Sequence, residues 1–161
     1  MALDVASLPI TVGVGAFVIR DGGLLVVRRT YGPSKGLWTI PAGYVEARES
    51  VAQAVEREVR EETAVAARAE AIVGVRNRVT ATANDTFLIF AMTYESGEPR
   101  PDGREVSEAA FRPLEELSQS EGSAPFTRAI VPRLVRAQGM RLDAYAPPRD
   151  GSGTHAYLLY L

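Results

Sequence analysis

Glu58 and Glu62 are the residues whose type and spacing raise a chemical question, because they fall where a helix should be apolar. With Val55 at zero on a wheel of about 100° per residue, Val51, Val59 and Ala52 fall at roughly −40°, +40° and +60°, a stripe suited to burial. Glu62 lands at about −20°, inside that arc, with Glu58 beside it at about −60° and Glu61 further round at about −120°. Gln53, Arg57 and Arg60 take the far, solvated side. Ion pairs at i,i+4 account for Glu56 with Arg60 and for Arg57 with Glu61. They do not account for Glu58 and Glu62, like charges at the same spacing on a half-buried edge, which repel and cost desolvation unless something positive faces them. A divalent cation with oxygen ligands is the natural partner, and Mg²⁺ or Mn²⁺ suits an all-carboxylate site. An arginine from a second chain and a chance pattern are the alternatives that spacing leaves open.

Composition narrows the chemistry. Cysteine is absent and histidine occurs once, at His155, which removes disulfides, thiolate metal sites and a thiol nucleophile and argues against a histidine-rich metal site. Acid–base or metal chemistry therefore falls to carboxylates. With 18 basic against 20 acidic residues and a net charge of −2, no general field attracts nucleic acid or an anionic membrane, and neither is expected as a partner. The 161 residues, 46% apolar and 24% charged, suit one soluble domain with a real core. The opening "MALDVASLPI" lacks the basic and apolar regions of a signal peptide, and no apolar run reaches membrane-spanning length, so a cytoplasmic location is the expectation.

The elements that would position the acids can be read in order. "TVGVGAFVIR" (11–20) and "GLLVVRRT" (23–30) flank a "DGG" hairpin signal. "YGPSKG" reads as a loop, "LWTI" (37–40) as a short strand, and "PAGYVEARE" as a turn and loop. Ser50 and Gln53 form a capping box that opens a helix over about 51–63. "AEAIVGVRNRVT" and "DTFLIFAMTYE" read as strands around an "ATAND" turn, and "SGEPRPDGREVSE" (96–108) as a long polar loop. "AFRPL" reads as a last strand, "EEL" as a helical turn, and 124–139 as a helix interrupted or begun late by Pro132. Helices packed on a sheet, an α/β domain, follow from that order.

Gly43, Glu49, Arg57, Glu58, Val59, Glu61, Glu62 and Val65 stand in the register G-x5-E-x7-R-E-U-x-E-E-x-G-U, with U a bulky aliphatic. This resembles the signature of the Nudix hydrolases. Ala64 stands where the family usually has glycine, and Ala42 replaces the first glycine of a frequent P-G-G lead-in; both should strain a turn without abolishing a site. The likeness extends over roughly residues 12–138 and implies an α/β/α sandwich with a mixed β-sheet. Along the chain, the domain is expected over 11–145, between a leader (1–10) and a flexible tether with an apolar end (146–161).

The resemblance implies that Glu58, Glu61 and Glu62 bind Mg²⁺ or Mn²⁺, joined by the carbonyl of Ala42. Gly43, Glu49 and Arg57 would brace the loop. Trp38 and Pro41 read as packing and turn rigidity ahead of substrate contact. The implied reaction is hydrolysis of a diphosphate linked to another group, usually in a nucleoside diphosphate derivative. Its base would be Glu58 or an acid of a mobile late loop, with Glu105 as candidate and Glu108 as rival. Arg29 resembles the family's phosphate-contacting arginine, and Arg76 and Arg78 are further candidates for the same cleft. "VTAT" (79–82) matches neither of the residues that mark the ADP-ribose and dinucleoside polyphosphate subfamilies. The alternative function is a non-catalytic Nudix-like sensor that binds a nucleotide. Finally, "THAYLLYL" (154–161) should add as a strand to a sheet edge, its own or that of a second protomer in a homodimer.

Overall fold

The computed structural model describes residues 9–147 and 156–161. Most of the expected leader and tether therefore lie outside the described residues. β1 (Ile10–Arg20) and β2 (Gly23–Arg29) are joined by Asp21 and Gly22, both left-handed at φ 51° and 78°. That is the geometry a tight two-residue hairpin needs. β3 (Trp38–Thr39) pairs with β2. The Pro-Ala-Gly segment, expected as a turn, instead forms β4 (Ala42–Tyr44), antiparallel to β1 with Gly43 opposite Val14. The pairing satisfies backbone groups that a buried turn would strand.

α1 (Val51–Thr63) begins at the expected box, with Ser50 accepting from the Gln53 N–H and the Gln53 side chain from the Ser50 N–H. β5 (Ala66–Val79) and β6 (Asn84–Ser96) form a long antiparallel pair, and β6 runs parallel to β1 over nine positions, Ile10 to Val18. β7 (Val106–Pro113) starts inside the expected polar loop and pairs with β2. α2 (Leu114–Gln119) and α3 (Pro125–Leu134) follow. Pro125 opens α3 at a position that needs no N–H, and Pro132 lies within the helix. The expected run to 139 stops at Leu134, and left-handed Gly139 (φ 74°) leads into β8 (Met140–Arg141).

The strand order β3-β2-β1-β6-β5-β8, with β4 on β1 and β7 on β2, makes a mixed sheet. Alternation along its strands feeds two cores. Val14, Ala16 and Val18 pack with Val55 and Val59 of α1, and Phe17, Leu24 and Val26 pack with Leu117 of α2 and Val131 of α3. The result is a sheet between helical layers. Among the described residues no helix is long and apolar enough to cross a membrane.

The C-terminus pairs with its own chain. Arg141 and Leu161 exchange backbone hydrogen bonds at 2.8 and 2.9 Å, and Asp143 N donates to Leu159 O at 2.7 Å. Tyr160 meets Phe90 edge-on with centroids 5.8 Å apart. Tyr157, Leu158 and Leu161 stay exposed, so fewer of the tail's large side chains are covered than expected.

Candidate active site

The α1 helix carries its acids to the floor of a cavity of about 540 Å³. Glu62 is 3% exposed, as its place in the apolar arc requires. Its positive partner belongs to the same chain: both guanidinium nitrogens at the end of Arg29 donate to its carboxylate, the second at 3.2 Å. The Ala42 N–H adds a bond of 3.1 Å to Oε2, and Arg29 Nη2 also donates to the Ala42 carbonyl at 3.0 Å. Burial outweighs these contacts and pushes the Glu62 carboxyl up to about 7, with Arg29 and the Ala42 N–H pulling down and Glu58 adding to the rise.

Arg29 reaches this place through strand alternation. Leu25 feeds the α1 core, so Arg29, two steps of two beyond it, faces α1 as well. Arg28 faces the other way, with its guanidinium 4.7 Å from the centre of the Trp38 ring. A register shift between Arg28 and Arg29 places Glu108 opposite Arg28 and Val106 opposite Arg29. Glu108 thus shares the face of Arg28, pairs with it at 3.2 Å, and does not line the cavity. The sequence expectation for Glu108 as a rival base finds no geometry here.

Glu58 lies against the backbone of Gly43, where a Cβ would come within 2.1 Å of its carboxylate. Glycine is required there by that close approach. Arg57 Nη1 donates to Glu58 at 2.7 Å. Burial raises the Glu58 carboxyl above its ordinary range; Arg57 opposes the rise, and the charges of Glu61 and Glu105 add to it. Glu61 is the exposed member, 3.4 Å from Arg57. Arg57 also grips Glu49 with two bonds of 2.9 and 2.6 Å and donates to the Tyr44 carbonyl at 3.0 Å. The hydrogen bonds from Arg57 hold Glu49 below the usual carboxylate range. Loop and helix are thereby fastened together.

Glu105 lines the cavity and accepts from the Tyr31 hydroxyl at 3.0 Å. Its loop carries several hydrogen bonds of its own. Asp102 Oδ1 accepts from the N–H groups of Arg104, Glu105 and Val106 at 2.8, 3.0 and 3.0 Å, and Thr30 N donates to the Glu105 carbonyl at 3.0 Å. Arg76 and Arg78 line the cavity too. Arg76 pairs with Asp85 at 2.7 Å, and Asp85 also accepts from Thr11 at 2.7 Å. Tyr31, Asp85, Phe87 and Asp102 are lining residues that sequence reasoning missed. The Phe87 ring lies across Gly13 and Gly15 so closely that a Cβ would come within 2.9 and 2.5 Å, a contact that only the paired strands reveal.

Donor chemistry decides whether a divalent cation suits this place. The Glu58, Glu61 and Glu62 carboxylates and the Ala42 carbonyl are hard oxygen donors on one cavity, the set that Mg²⁺ or Mn²⁺ prefers. Two of them already hold a positive charge, that of Arg29. Among the described residues no three acidic side chains are grouped to share an ion. Glu62 is paired with Arg29 and Glu58 with Arg57. The donor chemistry suits such an ion, with Arg29 standing at two of the donors.

Comparison with known proteins agrees with this frame. The pattern of the NUDIX domain matches residues 9–134. The chain belongs to the NUDIX family. It is 30% identical over 108 residues to an ADP-ribose pyrophosphatase of Methanocaldococcus jannaschii, covering 66% of this chain and 63% of that protein. It is 33% identical over 96 residues to the NAD-capped RNA hydrolase NudC of Photobacterium profundum, covering 60% of this chain and 35% of the relative. The chain thus spans less than two thirds of the length of either relative. Among solved structures, a MutT NUDIX hydrolase from Burkholderia pseudomallei superposes with a TM-score of 0.67 at 28% identity, covering 77% of this chain and 97% of that one.

Proposed function

We propose that this NUDIX domain is a Mg²⁺- or Mn²⁺-dependent pyrophosphohydrolase of nucleoside diphosphate derivatives. The observation that carries the reading is the lining of one cavity by the acids Glu58, Glu61, Glu62 and Glu105 and by the arginines Arg29, Arg76 and Arg78. A diphosphate needs both kinds of group. Cations neutralise the charge that develops on its oxygens, and carboxylates hold metal and take a proton. The cavity, about 540 Å³, falls within the roughly 300–1,000 Å³ typical of small-molecule sites. The ADP-ribose pyrophosphatase relative supports a nucleoside diphosphate linked to a second group as the substrate class.

Glu58, Glu61, Glu62 and the Ala42 carbonyl would hold the ion, which when bound polarises phosphate oxygens and acidifies water. Glu105 is the base of this reading. Tyr31 donates to its Oε2, which leaves Oε1 to accept the proton of the attacking water. Attack at one phosphorus breaks the P–O–P bridge, so that one water and one diphosphate ester give two phosphate monoesters. Arg78 has the simplest route to a phosphate, because Arg29 and Arg76 are already paired with Glu62 and Asp85.

The test is a phosphatase-coupled phosphate-release screen over nucleoside diphosphate derivatives and nucleoside triphosphates with each metal. Turnover of a diphosphate derivative is expected. Glu105→Gln should lower kcat far more than it raises KM, whereas Glu108→Gln should leave both near wild type. Metal-dependent nucleotide binding with no hydrolysis of any compound would overturn the reading in favour of a sensor.

A further inference from the structure

Arg29 is expected to touch phosphate, yet both terminal nitrogens of its guanidinium are bonded to the oxygens assigned to the metal. It meets both carboxylate oxygens of Glu62, and Nη2 also bonds the Ala42 carbonyl at 3.0 Å. Arg29 is only 11% exposed and Glu62 only 3%. An ionised carboxylate buried that far needs a counter-charge, because an unpaired one would be strongly disfavoured. Two positive groups cannot comfortably share those oxygens, since like charges a few ångströms apart repel strongly where water is largely excluded.

From this we infer that Arg29 is a resident counter-cation which a divalent ion must displace from Glu62 and Ala42, so that metal loading releases Arg29 toward substrate phosphate. The inference rests on the proposed metal-holding role of Glu62 and Ala42. It explains why a group on the α1-facing side of β2 is placed where it blocks its own site. While the ion is absent, Arg29 keeps the buried carboxylate neutralised and its geometry intact. When the ion arrives, the displaced guanidinium has the cavity it already lines to move into. Arg76 cannot respond in the same way, because its partner Asp85 is not among the candidate donors. Loading and phosphate capture are then coupled through one side chain, and the metal-free protein is a poor phosphate binder.

Two measurements that do not read turnover test this. In the first, Mn²⁺ binding is followed by electron paramagnetic resonance for the wild type, Arg29→Lys and Arg29→Gln. Removing the competitor should tighten binding at least fivefold in Arg29→Gln, with Arg29→Lys in between. Equal or weaker binding by Arg29→Gln, or no Mn²⁺ binding by either the variant or the wild type, overturns the inference. The second uses only the wild type and so does not depend on a variant that folds. The guanidinium NMR signals of Arg29 should be protected from exchange without metal and lose that protection when Mg²⁺ is added. Signals that stay protected while Mg²⁺ binds overturn the inference. Mn²⁺ and Mg²⁺ responses as expected in a protein that hydrolyses nothing would defeat the hydrolase reading alone. Hydrolysis with Arg29 unmoved would defeat only the displacement.

Discussion

Arg57 lies on α1 itself and takes its partners from nearby in the chain, with Glu49 eight residues back and Glu58 and Glu61 on the same helix. Arg29 comes from β2 and meets Glu62, 33 residues further on. The first arginine is 23% exposed and shared among several acids; the second is 11% exposed and given to one buried carboxylate and one carbonyl. The difference separates two jobs. A partly wet arginine with many partners can lose one and keep the rest, which suits a brace. A dry one with a single acid exists in two states, paired or replaced, which suits a site that must exchange one cation for another.

The sharpest way to break that comparison is to neutralise the dry acid. Glu62→Gln should fold, since an amide fills the same space, and should lose at least about a hundredfold in kcat, some 2.7 kcal/mol of barrier. Steady-state kinetics with Mg²⁺, alongside a circular-dichroism melt, measure both. Near-wild-type turnover would make the Arg29–Glu62 pair as structural as the Arg57 cluster and erase the distinction.

The Glu62 and Glu49 carboxyls should respond to pH with opposite sign. The Glu62 carboxyl is raised from 4.5 to about 7 in the folded protein. Between those values the native state holds a proton that the unfolded chain has released, so metal-free stability falls as pH rises through the window, by on the order of 3 kcal/mol. Glu49 is shifted downward by Arg57. Its contribution is fully present above the ordinary carboxylate range and is lost as pH falls below it. Melting the wild type and Glu62→Gln in chelator across this range should show a clearly larger neutral-side decline in the wild type, the raised Glu58 carboxyl contributing to both. A decline of equal size in both proteins would assign it to another group.

Removing the brace should cost less. Arg57→Met leaves Glu49 and Glu58 without their shared cation, but both keep some solvent. The loss should fall between that of exposed and buried pairs, about 1–3 kcal/mol by urea denaturation. Faster amide exchange over residues 44–49 should accompany it. A loss confined to global stability, with the loop amides unchanged, would show that Arg57 does not fasten that loop.

The two arginines also show what was legible in the sequence. The Ser50–Gln53 box, the buried arc of Val55 and Val59, and the misplacement of Glu62 within it are local, and period and capping chemistry expose them. The need for a positive charge against Glu62 was legible as well. That the charge would come from Arg29 was not, because it depends on which face of β2 meets α1, and only the assembled sheet decides that. The placement of Glu108 was hidden for the same reason: its distance in sequence from Glu105 is small, but the register shift turns it to the face of Arg28. The strand at Ala42–Tyr44 was read as a turn because Pro-Ala-Gly carries turn residues, while its pairing with β1 is a long-range choice. The Gly43 requirement came from resemblance alone and gains its physical reason only from Glu58 lying against its backbone.

The smallest expected effect concerns the end of α1 that carries Glu62. Ala64 caps the helix in the left-handed conformation, φ 59° and ψ 8°, with its N–H bonded to the Arg60 carbonyl. For a residue with a Cβ that conformation costs about 1–2 kcal/mol. Glycine removes the strain but gives back about 0.4–1 kcal/mol through the greater freedom of the unfolded chain. Ala64→Gly should therefore stabilise the protein by about 0.5–1 kcal/mol, or roughly 1–4 °C in Tm for a chain of this size. The neighbouring segment already accommodates this cap: Arg100 N donates to the Thr63 carbonyl at 2.8 Å, so the helix end is held from outside as well as by its own turn. Turnover and the neutral-side pH decline should consequently stay as in the wild type, because the strain is spent in the cap and Glu62 lies two residues before it within the helix. If Ala64→Gly instead shifts the pH decline or weakens Mn²⁺ binding, the strained cap helps set the height of Glu62 against Arg29. The dry cluster would then depend on the helix terminus in a way that the Arg57 cluster, further back along α1, does not.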